Sequence, residues 1–219
     1  MGVFDIVGPV MIGPSSSHTA GAARIGGMAR NIMNEEIKEA VITLYGSFAK
    51  TYKGHGTDKA LIAGLLGFSA DDVHLRTSFA IADERGLKVT WNRSDADVSH
   101  PNTVRIAMTG VSGRKMEVLG VSLGGGKMEI REINGAAVAL GGEEHTLITM
   151  HNDRPGIIAQ VTTILAIGQI NVSNMRVFRS AKHANAVMIV CTDSPVPAEM
   201  VAVISNITAI ESVITLLPL

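Results

Sequence analysis

From Thr146 to the end of the chain, the sequence alternates between the two-residue period of strands and the 3.6-residue period of helices, and this leaves few folds open. Thr146 to Met150 is a short β-like run, followed by Asn152-Asp153-Arg154-Pro155-Gly156, where Asp153 can cap a helix and Pro155 can open one. Ile157, Val161, Ile164 and Leu165 then recur on one helical face, and Gly168 stops it. Asn171 to Phe178 and Ala186 to Cys191 read as a hairpin joined by the polar turn Arg179 to Asn185. Ser194-Pro195 opens a second helix with Met200, Val203, Ile204 and Ile207 on its apolar face, and Ser212 to Leu217 closes the chain as a strand. Strand, helix, strand, strand, helix, strand is the ferredoxin-like arrangement.

The first 135 residues are less regular. A helix with the face Ile25, Met28, Ala29 and Ile32 precedes a strand at Ala40 to Tyr45, and a second helix begins near Asp58 with Leu61, Ile62 and Leu65 on one side. Further β-like runs follow at Leu87 to Trp91, Thr103 to Met108, Met116 to Leu123 and Met128 to Ile133. The fold class expected is α/β (α+β): a mixed α/β domain over 1–135, a linker over 136–144 and a ferredoxin-like domain over 145–219. The linker reading rests on Asn134 to Glu144, which holds three glycines and three alanines.

Composition excludes several classes. Nineteen basic against twenty acidic residues leave a net charge of −1, without the basic footprint of a nucleic-acid binder. At 46% hydrophobic the chain can bury a core, and its 18% of charged residues lies below the usual ~25%, so part of its surface is neutral or shared with a partner. The longest uncharged run considered, Ala60 to Ala70, is too short for a membrane span of ~20 residues and contains two glycines. No secretory signal is visible, and the expected location is cytoplasmic. Cys191 is the single cysteine, so the chain cannot by itself hold a zinc ion or an iron-sulfur cluster, which take three or four thiolates or imidazoles. No metal ligand is expected in this chain.

The segment richest in chemistry is Gly13-Pro14-Ser15-Ser16-Ser17-His18-Thr19, directly before the first helix. One serine suffices to cap a helix, and three with an imidazole and a threonine exceed that need. A substrate carboxylate can rest on the hydroxyls and the unpaired amides, leaving His18 to move a proton near neutral pH. Lys53-Gly54-His55-Gly56-Thr57-Asp58 also leads into a helix, but Lys59 stands where a dinucleotide fingerprint needs glycine. Gly124-Gly125-Gly126 fits either a hairpin turn or a backbone approached by a ligand. His100-Pro101-Asn102 fits a turn, with an imidazole and an amide that can reach a site. His74, His145, His151 and His183 read as structural or surface residues. The loop Asn152 to Gly156 is a helix start that can also take an amino-acid ligand, its carboxylate on the free N–H groups and its ammonium end on Asn152 or Asp153.

Taken in order, Val3-Phe4-Asp5-Ile6, Gly13 to Thr19, Tyr45-Gly46-Ser47, Gly54-His55-Gly56-Thr57-Asp58, His100-Pro101-Asn102 and Gly124-Gly125-Gly126 resemble the β chain of bacterial iron-sulfur-dependent L-serine dehydratase. The second half resembles an ACT domain through Asp153-Arg154-Pro155-Gly156-Ile157-Ile158 and the Asn171-Val172 step. The resemblance implies a lyase that converts L-serine to pyruvate and ammonia with a 4Fe-4S cluster and without pyridoxal phosphate. Because Cys191 stands alone, the cluster would be ligated by a separate α chain, with the active site where the two chains meet. Carried onto this sequence, Ser15, Ser16, Ser17 and Thr19 contact the substrate carboxylate and His18 transfers the proton, with His55, His100 and Asn102 as further substrate-binding residues.

The ACT resemblance implies a homodimeric contact. An effector would be held by Asn152, Asp153, Gly156 and Ile157 of one copy and Asn171 and Val172 of the other. Similar first domains beside ACT domains in some phosphoglycerate dehydrogenases bind effectors, so a purely regulatory subunit is the rival expectation. A free-standing amino-acid sensor is the third.

Overall fold

A computed structural model describes residues 10–179 and 184–218. Val3 to Ile6, His183 and most of the turn before Asn185 lie outside the described residues. The chain divides into two compact units, Met1–Gly135 and Ala136–Leu219.

In the first unit, β1 (Ile37–Tyr45) pairs in parallel with β2 (Lys88–Ser94) and antiparallel with β3 (Thr103–Gly110). β4 (Lys115–Gly124) and β5 (Lys127–Ile133) extend the sheet by hairpins, giving the order β2-β1-β3-β4-β5. A parallel neighbour demands a crossover. It is made by α2 (Gly46–Thr51), α3 (Thr57–Leu65), a 3₁₀ turn (Val73–Thr77) and α4 (Ser78–Glu84). Of these only α3 is legible in the sequence, because the others are under two turns long, too short to show a period.

Helix α1 (Gly21–Met33) lies over β4 and β5 and against α3. Its expected face, Ile25, Met28, Ala29 and Ile32, is fully buried with Leu61 and Ile62 of α3. The two helices meet backbone to backbone through glycines. A Cβ on Gly26 would stand 2.4 Å from the Leu61 carbonyl oxygen, and one on Gly64 would stand 2.1 Å from that of Ala23. A Cβ on Gly120 of β4 would press on Ile25 at 2.6 Å, so α1 sits as close to the sheet as to its neighbour helix. At the tip of the β4–β5 hairpin, Gly124, Gly125 and Gly126 all have positive φ, which supports the turn reading of that run.

The second unit begins with β6 (Ala136–Leu140), so most of the stretch expected as a linker is strand. Val138 and Leu140 there are buried, and β6 packs against β8 and β9. An Ala- and Gly-rich composition reads as flexible until apolar partners arrive. The remainder is β7 (His145–Asn152), α5 (Ile157–Ile167), β8 (Val172–Arg179), β9 (Asn185–Thr192), α6 (Ala198–Ser205) and β10 (Ile210–Leu216). The sheet order β10-β7-β9-β8 is antiparallel throughout, the ferredoxin-like topology. Leu147, Val161, Leu165, Met188, Val190 and Ile204 form its core, with Ile164, Met200 and Ile207 at its margin. Val203 departs from the expected helical face and is about half exposed.

Candidate active site

The turn before α1 is shaped by its own serines. Ser15 is the helix cap, its Oγ accepting the His18 amide at 3.1 Å, and Ser16–Ala20 form a π-helical turn that runs into α1. Capping is therefore one function of the run, as a single serine requires. The wider π turn also brings the His18 ring over Ser17, whose Oγ lies 3.0 Å from Nδ1, with Ser15 Oγ at 3.5 Å. On the other side of the ring, Nε2 is 3.1 Å from Ser47 Oγ at the start of α2. Both ring nitrogens thus face hydroxyls, which donate or accept as the tautomer requires.

The other neighbours of the ring are aromatic. Phe48 meets the His18 ring edge-on at 5.2 Å and His55 does so at 4.8 Å. Only 8% of His18 is exposed. Burial first, and then the neighbouring His55, push its imidazole below the ordinary value, so the ring is neutral at pH 7 and able to take up a proton.

Close approach of backbones assembles these parts. A side chain on Gly46 would collide with the Pro101 carbonyl, which instead accepts the Ser47 amide at 2.7 Å. This seats the His100-Pro101-Asn102 loop beside α2. Asn102 exchanges backbone and side-chain bonds with Ser122, and Ser122 Oγ donates to the Ser17 carbonyl at 2.8 Å. His100 Nδ1 accepts the Asn102 amide at 3.2 Å, so its remaining proton sits on Nε2. Burial, then Arg131, hold His100 below its ordinary value.

Of the residues picked from the sequence, Ser15, Ser17, His18 and His55 are in direct contact, and Asn102 and His100 join them through Ser122 and Pro101. Thr19 is placed differently: it is buried and its hydroxyl donates to the His55 carbonyl at 3.1 Å, so it braces the 53–56 loop. Ser16 opens the turn and is half-buried. Ser47, Phe48 and Ser122 went unpicked. Ser47 lay inside a quoted motif, but nothing in its spacing pairs it with an imidazole 29 positions earlier.

The residues picked for an effector do not meet within one copy. Asn152, Asp153, Gly156 and Ile157 lie at the C-terminal end of β7, and Asn171 and Val172 open β8 at the opposite end of the sheet. An eight-residue strand separates them by roughly 25 Å at about 3.3 Å per residue. Asn152 Nδ2 donates to Glu211, Arg179 donates to Asp153, and Asn171 Nδ2 donates to Asp193 at 2.6 Å. Gly156 has φ +90° at the cap of α5, a conformation that favours glycine. His151 is a buried imidazole whose Nδ1 lies 3.1 Å from Thr149 Oγ1, in keeping with its structural reading.

Among the described residues no group of three or more His, Cys, Asp or Glu side chains can hold a metal ion. Cys191 is half-buried in β9, and burial pushes its thiol up, away from the thiolate a metal needs. Among the described residues the donor set does not fit an iron-sulfur cluster. No described helix is long and apolar enough to cross a membrane.

The serine dehydratase beta chain family model matches residues 2–86 and the ACT domain model matches 145–212. A probable L-serine dehydratase beta chain of Bacillus subtilis (strain 168) is 47% identical over 191 residues, covering 87% of this chain and 86% of that one. The chain belongs to the L-serine dehydratase β-chain family. The L-serine dehydratase beta chain of Peptoniphilus asaccharolyticus is 36% identical over 93% of this chain and 92% of its own length. A D-3-phosphoglycerate dehydrogenase of Synechocystis is 24% identical over 89% of this chain but only 35% of its own length. The beta chain family model covers the π turn and α2, and the 100–102 loop lies beyond it.

Proposed function

We propose that this chain is the β subunit of a two-chain L-serine dehydratase that converts L-serine to pyruvate and ammonia, active only when joined to an α chain that holds a 4Fe-4S cluster. Near end-to-end similarity to two named β chains carries the reading. The lone, raised-pKa Cys191 agrees with it, since the ligands of a cluster then have to come from elsewhere.

In this reading His18 takes the substrate's α-proton. Its neutral ring carries one lone pair and one N–H, with Ser17 at Nδ1 and Ser47 at Nε2, so whichever nitrogen receives the proton, the other keeps a hydroxyl partner. The hydroxyls of Ser15, Ser16 and Ser17 hold the substrate carboxylate near the turn, and His55, His100 and Asn102 complete the wall. Thr19 contributes by holding the His55 backbone. The location that suits this chemistry is the cytoplasm.

Expression of this chain alone and with its α chain, without oxygen, tests the proposal. Serine deamination and bound iron should appear only in the mixture. Pyruvate release by the isolated chain would overturn it. The similarity to a phosphoglycerate dehydrogenase across both units favours a second reading, a purely regulatory subunit. His18→Ala separates the two: turnover is lost if the chain is catalytic, and only regulation shifts if it is not.

For the ACT unit we propose a homodimer formed along β8. β8 ends the sheet and is exposed for most of its length. Two such edges joined antiparallel about a two-fold axis bring Asn171 and Val172 of one copy to the 152–157 loop of the other, closing the distance that separates them within one chain.

A further inference from the structure

We propose that the cavity bordered by Lys53, Lys59 and Arg76 in the first unit is a binding site for a small phosphate-bearing anion. The cavity has a volume of about 350 Å³, in the range of small-molecule sites, and Gly13, Gly54 and His55 also line it.

Three exposed cations line the cavity and no carboxylate does. Among the described residues none of the three is in a salt bridge, and Lys53 Nζ lies over the Tyr52 ring at 5.9 Å. Asp58, next to Lys59 in sequence, interacts favourably with the charges of Lys59 and Lys53, its Oδ1 accepts the Lys59 amide, and it does not line the cavity. Because the chain as a whole carries a net charge of only −1, this concentration of one sign is local. Like charges gathered around a concavity repel one another until a counter-charge enters.

The charge also selects the ligand. A zwitterionic amino acid would bring its ammonium group against the same cations, and a single carboxylate neutralises one of three. A phosphate monoester offers close to two charges and several acceptor oxygens, which suit a guanidinium fork and two ammonium groups. Glycines at 13 and 54 leave the rim without side chains. The cavity shares His55 and Thr19 with the His18 cluster, yet its three cations take no part in the proposed elimination, and the inference does not rest on that reading.

The test uses the full chain alone. Calorimetric titration with inorganic phosphate and with glycerol phosphate, at constant ionic strength, should show saturable one-to-one binding, with amide and ring shifts centred on residues 53–59. A Lys59→Ala and Arg76→Ala double variant should weaken it at least ten-fold, Lys59→Arg should retain it, and Lys88→Ala on β2 should leave it unchanged. Tighter binding of glycerol phosphate identifies a phosphorylated metabolite as the ligand class, and equal binding identifies free phosphate. Absence of binding, shifts scattered over the surface, or equal losses in the Lys88 variant would overturn the proposal. No partner chain or serine turnover enters these measurements, so their failure is distinct from failure of the dehydratase reading.

Discussion

His18 Nε2 lies 3.1 Å from Ser47 Oγ, and this contact ties the turn before α1 to the first turn of α2. It gives the buried imidazole a partner on the side away from Ser17, so the ring is held at both nitrogens. Ser47→Ala should lower kcat of the assembled enzyme by roughly 10-fold or more with a smaller change in KM, because a misoriented base slows proton transfer more than binding. The cost in stability should be about 1 kcal/mol for the lost hydrogen bond. Ser47→Thr, which restores the hydroxyl, should recover most of the rate. An unchanged pH–rate profile in Ser47→Ala would remove Ser47 from the site.

Acid should destabilise the fold through its buried and half-buried imidazoles. Burial lowers His18, His100 and His151 in the folded chain, whereas in the unfolded chain they titrate near 6.5. Below that value the unfolded state binds protons that the folded state refuses, so stability is fully present above about pH 6.5 and is lost as pH falls toward the folded values. Tm measured from pH 7.5 to 5.5 should therefore drop, and His151→Gln should flatten the slope. A Tm rising toward acid would contradict the assignment of these rings as neutral.

The α1–α3 contact predicts opposite outcomes for neighbouring glycines. Gly64→Ala forces a methyl group against the Ala23 carbonyl at 2.1 Å and should destabilise by about 1–3 kcal/mol as the helices part. Gly27→Ala meets nothing within 4 Å and should stabilise by up to about 1 kcal/mol through helix propensity. Urea unfolding of the two variants reads both signs.

The β8 edge makes its own prediction. Met175 and Val177, each 37% exposed, lie on the strand that would pair with its copy. Replacing both with Glu brings like charges together across the two-fold axis and should weaken self-association at least ten-fold by light scattering, with the monomer still folded. A wild-type chain that stays monomeric at high concentration would rule out the dimer.

Much of the fold was legible because periodicity is a local property. Ile25, Met28, Ala29 and Ile32 announce a buried face whatever they pack against, and the βαββαβ order follows from the spacing of short apolar runs. The strand at Ala136–Leu140 was not legible, since alanines and glycines carry no period of their own and depend on Val138 and Leu140 finding apolar cover. Val203 shows the reverse error: apolar and correctly spaced, it faces outward because a period fixes a stripe on a helix and not the width of the surface that covers it.

The sequence by itself determined the two-unit plan, the gathering of three serines and His18 in one turn before a helix, and the presence of a single cysteine, because each depends on residue type and near-neighbour spacing. Only the tertiary structure decided that Ser47 is the second partner of His18, that Thr19 braces a backbone carbonyl, and that Lys53, Lys59 and Arg76 share one cavity. Those relations span up to 36 positions and are set by how closely glycine backbones let the elements approach, a distance that no local pattern encodes.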